Sequence, residues 1–247
     1  MAEIHDRIRE WWDADAAVYD HSPSHAASDP LEAAAWRAAL SAALPARGAR
    51  VLDVGAGTGS MTMLAAELGY EVTALDLSPL MLERAQHKAA ERAVRATFVV
   101  GPAEEPPPGP FDAVMERHML WTLPDPDRAL RAWRGSVAPG GRLVLFEGIW
   151  GKDDLPERVK RRAAEVLVRL YGIPHDHHAE YDPEILSQLP LGRSPSAEPL
   201  IHAVYRAGWR GSRIRRLRDV EWARRIASRP LLGWLEQVPQ YVLVADA

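Results

Sequence analysis

The sequence has no cysteine among its 247 residues. That excludes disulfides, thiolate metal sites and cysteine nucleophiles at once. It has no excess of positive charge either. Thirty Lys and Arg stand against 34 Asp and Glu, for a net charge of −4, which argues against a general binder of nucleic acid or of an anionic membrane. Only three of the 30 basic residues are lysine. No apolar run approaches the roughly 20 residues that span a bilayer, and the charged N-terminal residues lack the apolar stretch of a signal peptide. A cytoplasmic protein with no membrane partner is therefore expected. Internal repeats and long low-complexity linkers are also missing. What is present is ordinary for a globular chain, 47% hydrophobic and 26% charged. Its length suits one domain with a substantial core, or one domain plus a lid.

Hydrophobic periodicity divides the chain. Residues 3–20 read as a helix with Ile4, Ile8, Trp11, Trp12 and Val18 as its apolar positions. A turn-rich stretch, 22–30, leads to a second helix over 31–44. Strands and helices then alternate. Arg50–Val54 is a short apolar strand, Ser60–Leu68 a helix stopped by Gly69, and Glu71–Leu75 the next strand. Ser78 followed by Pro79 is an N-cap with proline at the first helical position, opening a helix to about Arg92. Thr97–Val100 and Phe111–Met115 are the third and fourth strands. Asp125–Val137 is a helix ended by Pro139-Gly140-Gly141, and Arg142–Glu147 is the fifth strand. Residues 151–195, with a helix near 156–170 and many prolines and glycines, read as an insertion. Ser196–Ala207 is a helix, and Arg213–Trp222 and Tyr241–Ala245 are closing strands. Such alternation predicts an α/β fold, a doubly wound, mostly parallel sheet of seven strands.

The strongest local signal is Val51-Leu52-Asp53-Val54-Gly55-Ala56-Gly57-Thr58-Gly59. An apolar strand runs straight into glycines at alternate positions and then into a helix. Glycine allows positive φ and close approach of a ligand, and the helix N-terminus offers free N–H groups to an anion. Seventeen residues past Gly59 the second strand ends in Asp76, a carboxylate placed to accept from two ribose hydroxyls. A nicotinamide dehydrogenase would show G-x-G-x-x-G; here the third glycine comes one position early.

That spacing resembles motif I of the class I S-adenosylmethionine (SAM)-dependent methyltransferases. Ala74-Leu75-Asp76-Leu77-Ser78-Pro79-Leu80-Met81-Leu82 is similar to the family's second motif, Phe111-Asp112-Ala113-Val114 to its fourth strand, and Ala138-Pro139-Gly140-Gly141-Arg142-Leu143 to the turn before its fifth. The resemblance covers about residues 48–148. It implies a Rossmann-like methyltransferase fold in a single domain over 1–247. The parts are an N-terminal helical lid (1–45), a SAM-binding core (46–150), a substrate-side insertion (151–195) and a closing helix and strands (196–247). Gly55, Ala56, Gly57 and Gly59 would surround the methionine end of SAM, with Asp53 on its amino group. Asp76 would bind the ribose, and Leu77 and Met81 would pack on adenine. The family often has Gly-Asp-Ala after strand three. Here the stretch is Gly101-Pro102-Ala103-Glu104, so adenine is read either by Glu104 or Glu105 near Ala103, or by backbone and stacking. Arg117 joins the cofactor set. Trp11 to Asp20 is similar to the family's lid helix, whose Tyr19 would reach the SAM carboxylate.

The loop after strand four, Glu116-Arg117-His118-Met119-Leu120-Trp121, lies near the transferred methyl group in this family. His118 is the candidate general base and His25 a second. Trp12, His118, Trp121 and Trp150 are candidates to face substrate. His175-Asp176-His177-His178 resembles a metal tract but has no partner elsewhere at ligand spacing, so no metal is expected. Arg210, Arg213, Arg215, Arg216 and Arg218 alternate as on a solvated strand face. The reading that results is an enzyme that moves a methyl group from SAM, leaving S-adenosylhomocysteine, to an O or N atom of a small apolar or aromatic metabolite, of secondary-metabolite type, by in-line displacement. The protein would be a monomer or homodimer. The alternatives are a SAM-binding scaffold without catalysis and a methyltransferase acting on a macromolecule.

Overall fold

The computed structural model describes residues 2–149, 155–173, 177–192, 196–228, 231–235 and 238–247. Three helices open the chain: α1 (Ala2–Asp15), α2 (Pro23–Ala26) and α3 (Pro30–Ala43). Then come β1 (Arg50–Val54), α4 (Ser60–Glu67), β2 (Glu71–Asp76), α5 (Pro79–Glu91), β3 (Thr97–Val100), β4 (Phe111–Arg117), α6 (Pro126–Ser136) and β5 (Val137–Gly148). After β5 follow α7 (Leu155–Tyr171), α8 (Pro183–Ser187), α9 (Glu198–Arg206), β6 (Arg210–Arg216), α10 (Arg218–Ala227), α11 (Leu232–Leu235) and β7 (Gln240–Asp246).

The seven strands form one sheet in the order β3-β2-β1-β4-β5-β7-β6. The first five are parallel, and β7 runs antiparallel to both β5 and β6. The central strands are buried on both faces, as parallel strands covered by helices must be, so alternate residues feed two cores. Leu52, Val54, Leu143 and Leu145 pack with Trp133 and Trp209 on one side. Val51, Val144 and Phe146 pack with Trp36, Leu40 and Leu64 on the other.

Four helices start on the same device, an Asp or Ser cap before a proline. Asp29 accepts from Leu31 N–H, Ser78 from Met81 N–H, Asp125 from Arg128 N–H and Asp182 from Glu184 N–H. The cap side chain satisfies a donor left open at the helix start, and proline supplies a pre-set φ where no N–H is needed.

Three sequence-based boundaries move. The first helix ends at Asp15 rather than at residue 20, followed by a short 3-10 turn over Tyr19–His21. β5 begins at Val137, ahead of the Pro-Gly-Gly turn, with its register against β4 broken between Phe111 and Ala113. Arg213–Trp222 is not one strand. β6 stops at Arg216, and 218–227 is a helix whose Val220 and Ala223 are buried and whose Arg224 and Arg225 close its last turn. The arginine alternation over 210–216 does mark an exposed strand, but continuing it past Leu217 missed the buried apolar residues three apart at Leu217, Val220 and Ala223. No described helix is long and apolar enough to cross a membrane.

Candidate functional site

The parallel strands deliver their carboxyl ends to one edge of the sheet, the edge where open α/β folds gather ligands. The loop after β1 has φ of +66° at Gly55, +54° at Gly57 and +82° at Gly59. The Gly55 and Ala56 N–H groups donate to the Leu75 carbonyl at 2.8 and 3.1 Å, which ties the loop to β2. A Cβ on Gly55 would stand 2.2 Å from Met119 Cγ. Gly59 serves differently. A Cβ there would meet Ala85 Cβ at 2.9 Å and Met63 Cε at 3.0 Å, so its missing side chain lets α4 close on α5.

Beside this loop is a cavity of about 80 Å³ walled by Gly55, Gly57, Asp76, Leu77, Met81, Ala103 and Glu104. Asp76 accepts from Gly57 N–H at 2.7 Å and from Ser78 N–H at 2.8 Å. Burial pushes its carboxyl up to about 6, against the pull of those N–H groups. Glu104 is buried; its Oε1 lies 3.2 Å from His5 Nε2, and its Oε2 has no hydrogen-bond partner among the described residues. Glu105 points away to Arg128 on the surface. A second small recess holds Asp53, Ala56, Ser60, Tyr19 and Arg117. Asp53 accepts from Thr62 Oγ1 at 2.6 Å, and burial raises its carboxyl to about 7.

A larger cavity of about 570 Å³ adjoins the first. The two have Trp12, Tyr19, Arg117 and His118 in common. These side chains come from three places in the chain: α1, the turn after it, and the end of β4. Buried Glu116 bends the chain after β4, accepting from Met119 N–H at 2.9 Å and Leu120 N–H at 3.3 Å. His118 is thereby held at φ +57°, in the left-handed region that a non-glycine residue enters only when its surroundings compel it. Its N–H donates to the Phe146 carbonyl at 3.0 Å, and its Nδ1 lies 3.5 Å from Glu147 Oε2. Burial, with Arg224, Arg117 and His25 nearby, holds the imidazole well below its usual 6.5. Burial likewise raises the Glu147 carboxyl well above its usual range, reinforced by neighbouring Glu116. Arg117 donates from Nη2 to the His25 carbonyl at 2.6 Å, while its Nη1 has no hydrogen-bond partner among the described residues.

The N-terminal segment closes over both cavities. Tyr19 stacks on His25 at 4.1 Å and meets Trp12 edge-on at 5.9 Å. Fully buried Asp15 ties this segment to the stretch after β5, accepting from His178 N–H at 2.8 Å and lying 2.8 Å from His177 Nδ1. Ile8, Ile185 and Leu189 form a small separate core there, with Trp12, Leu77, Trp121 and Tyr181 against it. Each such buried aliphatic side chain contributes about 1.5–3 kcal/mol.

Of the sequence-based candidates, Asp76, Leu77, Met81, Ala103 and Glu104 meet in the smaller cavity, and His118, His25, Trp12 and Trp121 in the larger. Gly59 faces α5 rather than either cavity. Trp150, His175 and Asp176 lie outside the described residues. His177 and His178 form a lock on Asp15, and His177 also borders the larger cavity. Among the described residues no three His, Asp or Glu side chains converge as for a metal. Glu147, Tyr181, Arg225 and Tyr241 escaped sequence reading. Glu147 has no local mark beyond being the first acid after an apolar run, and the others arrive from segments whose cavity-facing side only tertiary packing decides.

Three comparisons bear on the site. Residues 52–145 match the model of a family described as a methyltransferase domain. A ubiquinone biosynthesis O-methyltransferase from Xanthomonas campestris pv. campestris is 40% identical over 139 residues, 55% of this chain and 54% of its own. The chain thus matches about half the length of that curated relative. Among solved structures, a phosphoethanolamine N-methyltransferase from Haemonchus contortus superposes with a TM-score of 0.59 at 20% identity, over 86% of this chain and 52% of that one. The [4+2]-cyclase SpnF superposes with a TM-score of 0.57 at 21% identity, over 85% and 78%. These last two likenesses concern the fold, which evidently carries more than one chemistry.

Proposed function

We propose that the chain, whose residues 52–145 match the model of a methyltransferase domain, is a class I SAM-dependent methyltransferase that methylates a hydroxyl oxygen of a small aromatic molecule. One observation carries the reading. A glycine-loop cavity and a roomier aromatic cavity meet at a single wall made of Trp12, Tyr19, Arg117 and His118. A methyl donor on one side and an acceptor on the other would face each other there. Relatives named O-methyltransferases agree with the choice of oxygen.

The residues present fit the cofactor. Gly55, at positive φ, lets Met119 pack directly on the loop that walls the cavity, where any side chain would collide with it. Two buried polar atoms without partners, Glu104 Oε2 and Arg117 Nη1, are in the right chemical positions. Asp76 would hold the ribose hydroxyls. Asp53 would hold the amino group, and Arg117 with Tyr19 the carboxylate. Leu77, Met81, Ala103 and Glu104 would surround adenine. Bound SAM supplies a methyl group already activated on a sulfonium. What remains for the chain is alignment, exclusion of water and removal of one proton. Trp12, Tyr19 and the Asp15 lock would keep solvent out as a lid. His118, kept neutral by burial, offers a lone pair to the acceptor hydroxyl as its oxygen takes the methyl carbon. The imidazolium so formed would lie beside Glu147. Hydroxyls and amines separate in assay. Incubation with SAM and matched phenols and anilines, read by mass spectrometry for a gained methyl and for S-adenosylhomocysteine, should give product with the phenols. Turnover of the anilines alone would overturn the choice of oxygen.

A further inference from the structure

The larger cavity is lined on one side by a single face of α10. Glu221, Arg224, Arg225 and Ser228 all border it, at the i, i+3, i+4 and i+7 spacing that puts side chains on one stripe of a helix. Two of these are engaged. Glu221 takes Arg216 at 2.8 and 2.9 Å and accepts from Gln240 N–H at 2.8 Å. Arg224 donates to buried Glu32 at 2.8 Å. Arg225 differs from both. It has no carboxylate within ion-pair distance among the described residues, and its guanidinium lies 4.1 Å over the Trp234 ring. A guanidinium set over an aromatic face still has N–H groups to offer a ligand, and its fork matches two oxygens of one carboxylate. The Ser228 side chain borders the cavity one turn further on. Facing acids do not compete for it. Glu221 is held by Arg216, and burial favours the neutral form of Glu147.

We infer that Arg225 anchors a carboxylate of the acceptor, so that the molecule methylated is a hydroxylated aromatic acid rather than a neutral phenol. This rests on the methyl-transfer reading and adds a substrate class to it. The Trp12, Tyr19 and Trp121 rings would take the aromatic body, His118 the hydroxyl and Arg225 the acid. Arg225 also complements the negative end of the α10 dipole. That role would affect stability and not the choice between ligands.

The test is calorimetric titration of the protein saturated with S-adenosylhomocysteine, using benzoate and benzamide, which differ in charge and little in shape. Benzoate should bind at least tenfold more tightly. Arg225→Gln should remove that preference while leaving benzamide affinity unchanged, and Arg225→Lys should keep part of it. Equal binding of the two probes, no benzoate binding, or a preference that survives Arg225→Gln would each overturn the carboxylate anchor, and methyl transfer would stand. Failure of S-adenosylhomocysteine itself to bind would overturn both.

Discussion

His118 Nδ1 stands 3.5 Å from the Glu147 carboxyl, in the wall of the larger cavity where β4 and β5 end side by side. Neither residue is free to leave. His118 is fixed at φ +57° by the turn that Glu116 caps, and Glu147 is nearly buried at the end of β5. Burial favours the neutral form of both groups, helped by Arg224 and Arg117 near His118 and by Glu116 near Glu147, and a neutral imidazole is the form a proton acceptor needs.

His118→Asn should lower kcat by about 10²- to 10⁴-fold, the usual worth of a positioned base, and leave SAM affinity unchanged. The pH profile gives a sharper check. The His118 imidazole lies well below 6.5, so its basic form persists as pH falls through 6.5. At saturating SAM, the acid limb of kcat should then fall below pH 6.5. A limb centred near 6.5 would mean an ordinary, solvated histidine, or a different base.

SAM affinity should rise with pH between about 6 and 7 and then level off. Without ligand the Asp76 carboxyl sits at about 6 and the Asp53 carboxyl at about 7, each raised chiefly by burial. Ribose hydroxyls and an ammonium prefer the ionised acids, so binding below these values must expel protons and weakens as pH falls. Calorimetry in buffers of different ionisation enthalpy would count the protons. Asp53→Asn should flatten the upper part of the curve.

Gly55→Ala and Gly48→Ala separate close packing from backbone strain. Both glycines have positive φ, +66° and +86°, but only Gly55 has a neighbour in the way, Met119 Cγ at 2.2 Å from the added Cβ. Gly48→Ala should cost the backbone term alone, about 1–3 kcal/mol, with SAM affinity unchanged. Gly55→Ala should cost more and should abolish SAM binding. Thermal unfolding and titration of the two variants check both statements.

Asp15→Ala removes the acceptor that joins the N-terminal segment to His177 and His178. Losing those hydrogen bonds should cost about 1–3 kcal/mol and raise the acceptor KM. The Asp15 carboxyl lies below its usual 3.8; burial pushes it up, but the hydrogen bonds from His177 and His178 outweigh that. Its stabilisation is thus complete above pH 3.8 and is lost only as pH falls through the lower folded value. The Asp15 carboxyl should therefore stay ionised from pH 5 to 8.

Residues 50–147 were legible because backbone chemistry is local there. Gly55 and Gly57 announce positive φ, Asp76 ends an apolar strand, and Ser78-Pro79 starts a helix. The same cap before proline at Asp29-Pro30, Asp125-Pro126 and Asp182-Pro183 would have fixed three further helix starts. The closing segment misled because arginines alternate in β6 and then recur on α10, where the period changes without a glycine or proline to mark it. The acceptor side was least readable. His177 meets Asp15 across 162 residues, and Arg224 meets Glu32 across 192. No spacing rule brings such pairs together; only the packing of α1, α3 and α10 on the finished sheet does.

Titration of the purified protein with SAM and S-adenosylhomocysteine, beside an Asp76→Ala variant of unchanged secondary structure, tests the central claim most directly. Saturable binding of both ligands to the wild type and its loss in the variant are predicted, because Asp76, held by the Gly57 N–H, is the carboxylate proposed to take the ribose hydroxyls. No binding of either ligand, or equal binding by the variant, would contradict the assignment of this cavity to SAM and the methyl transfer built upon it.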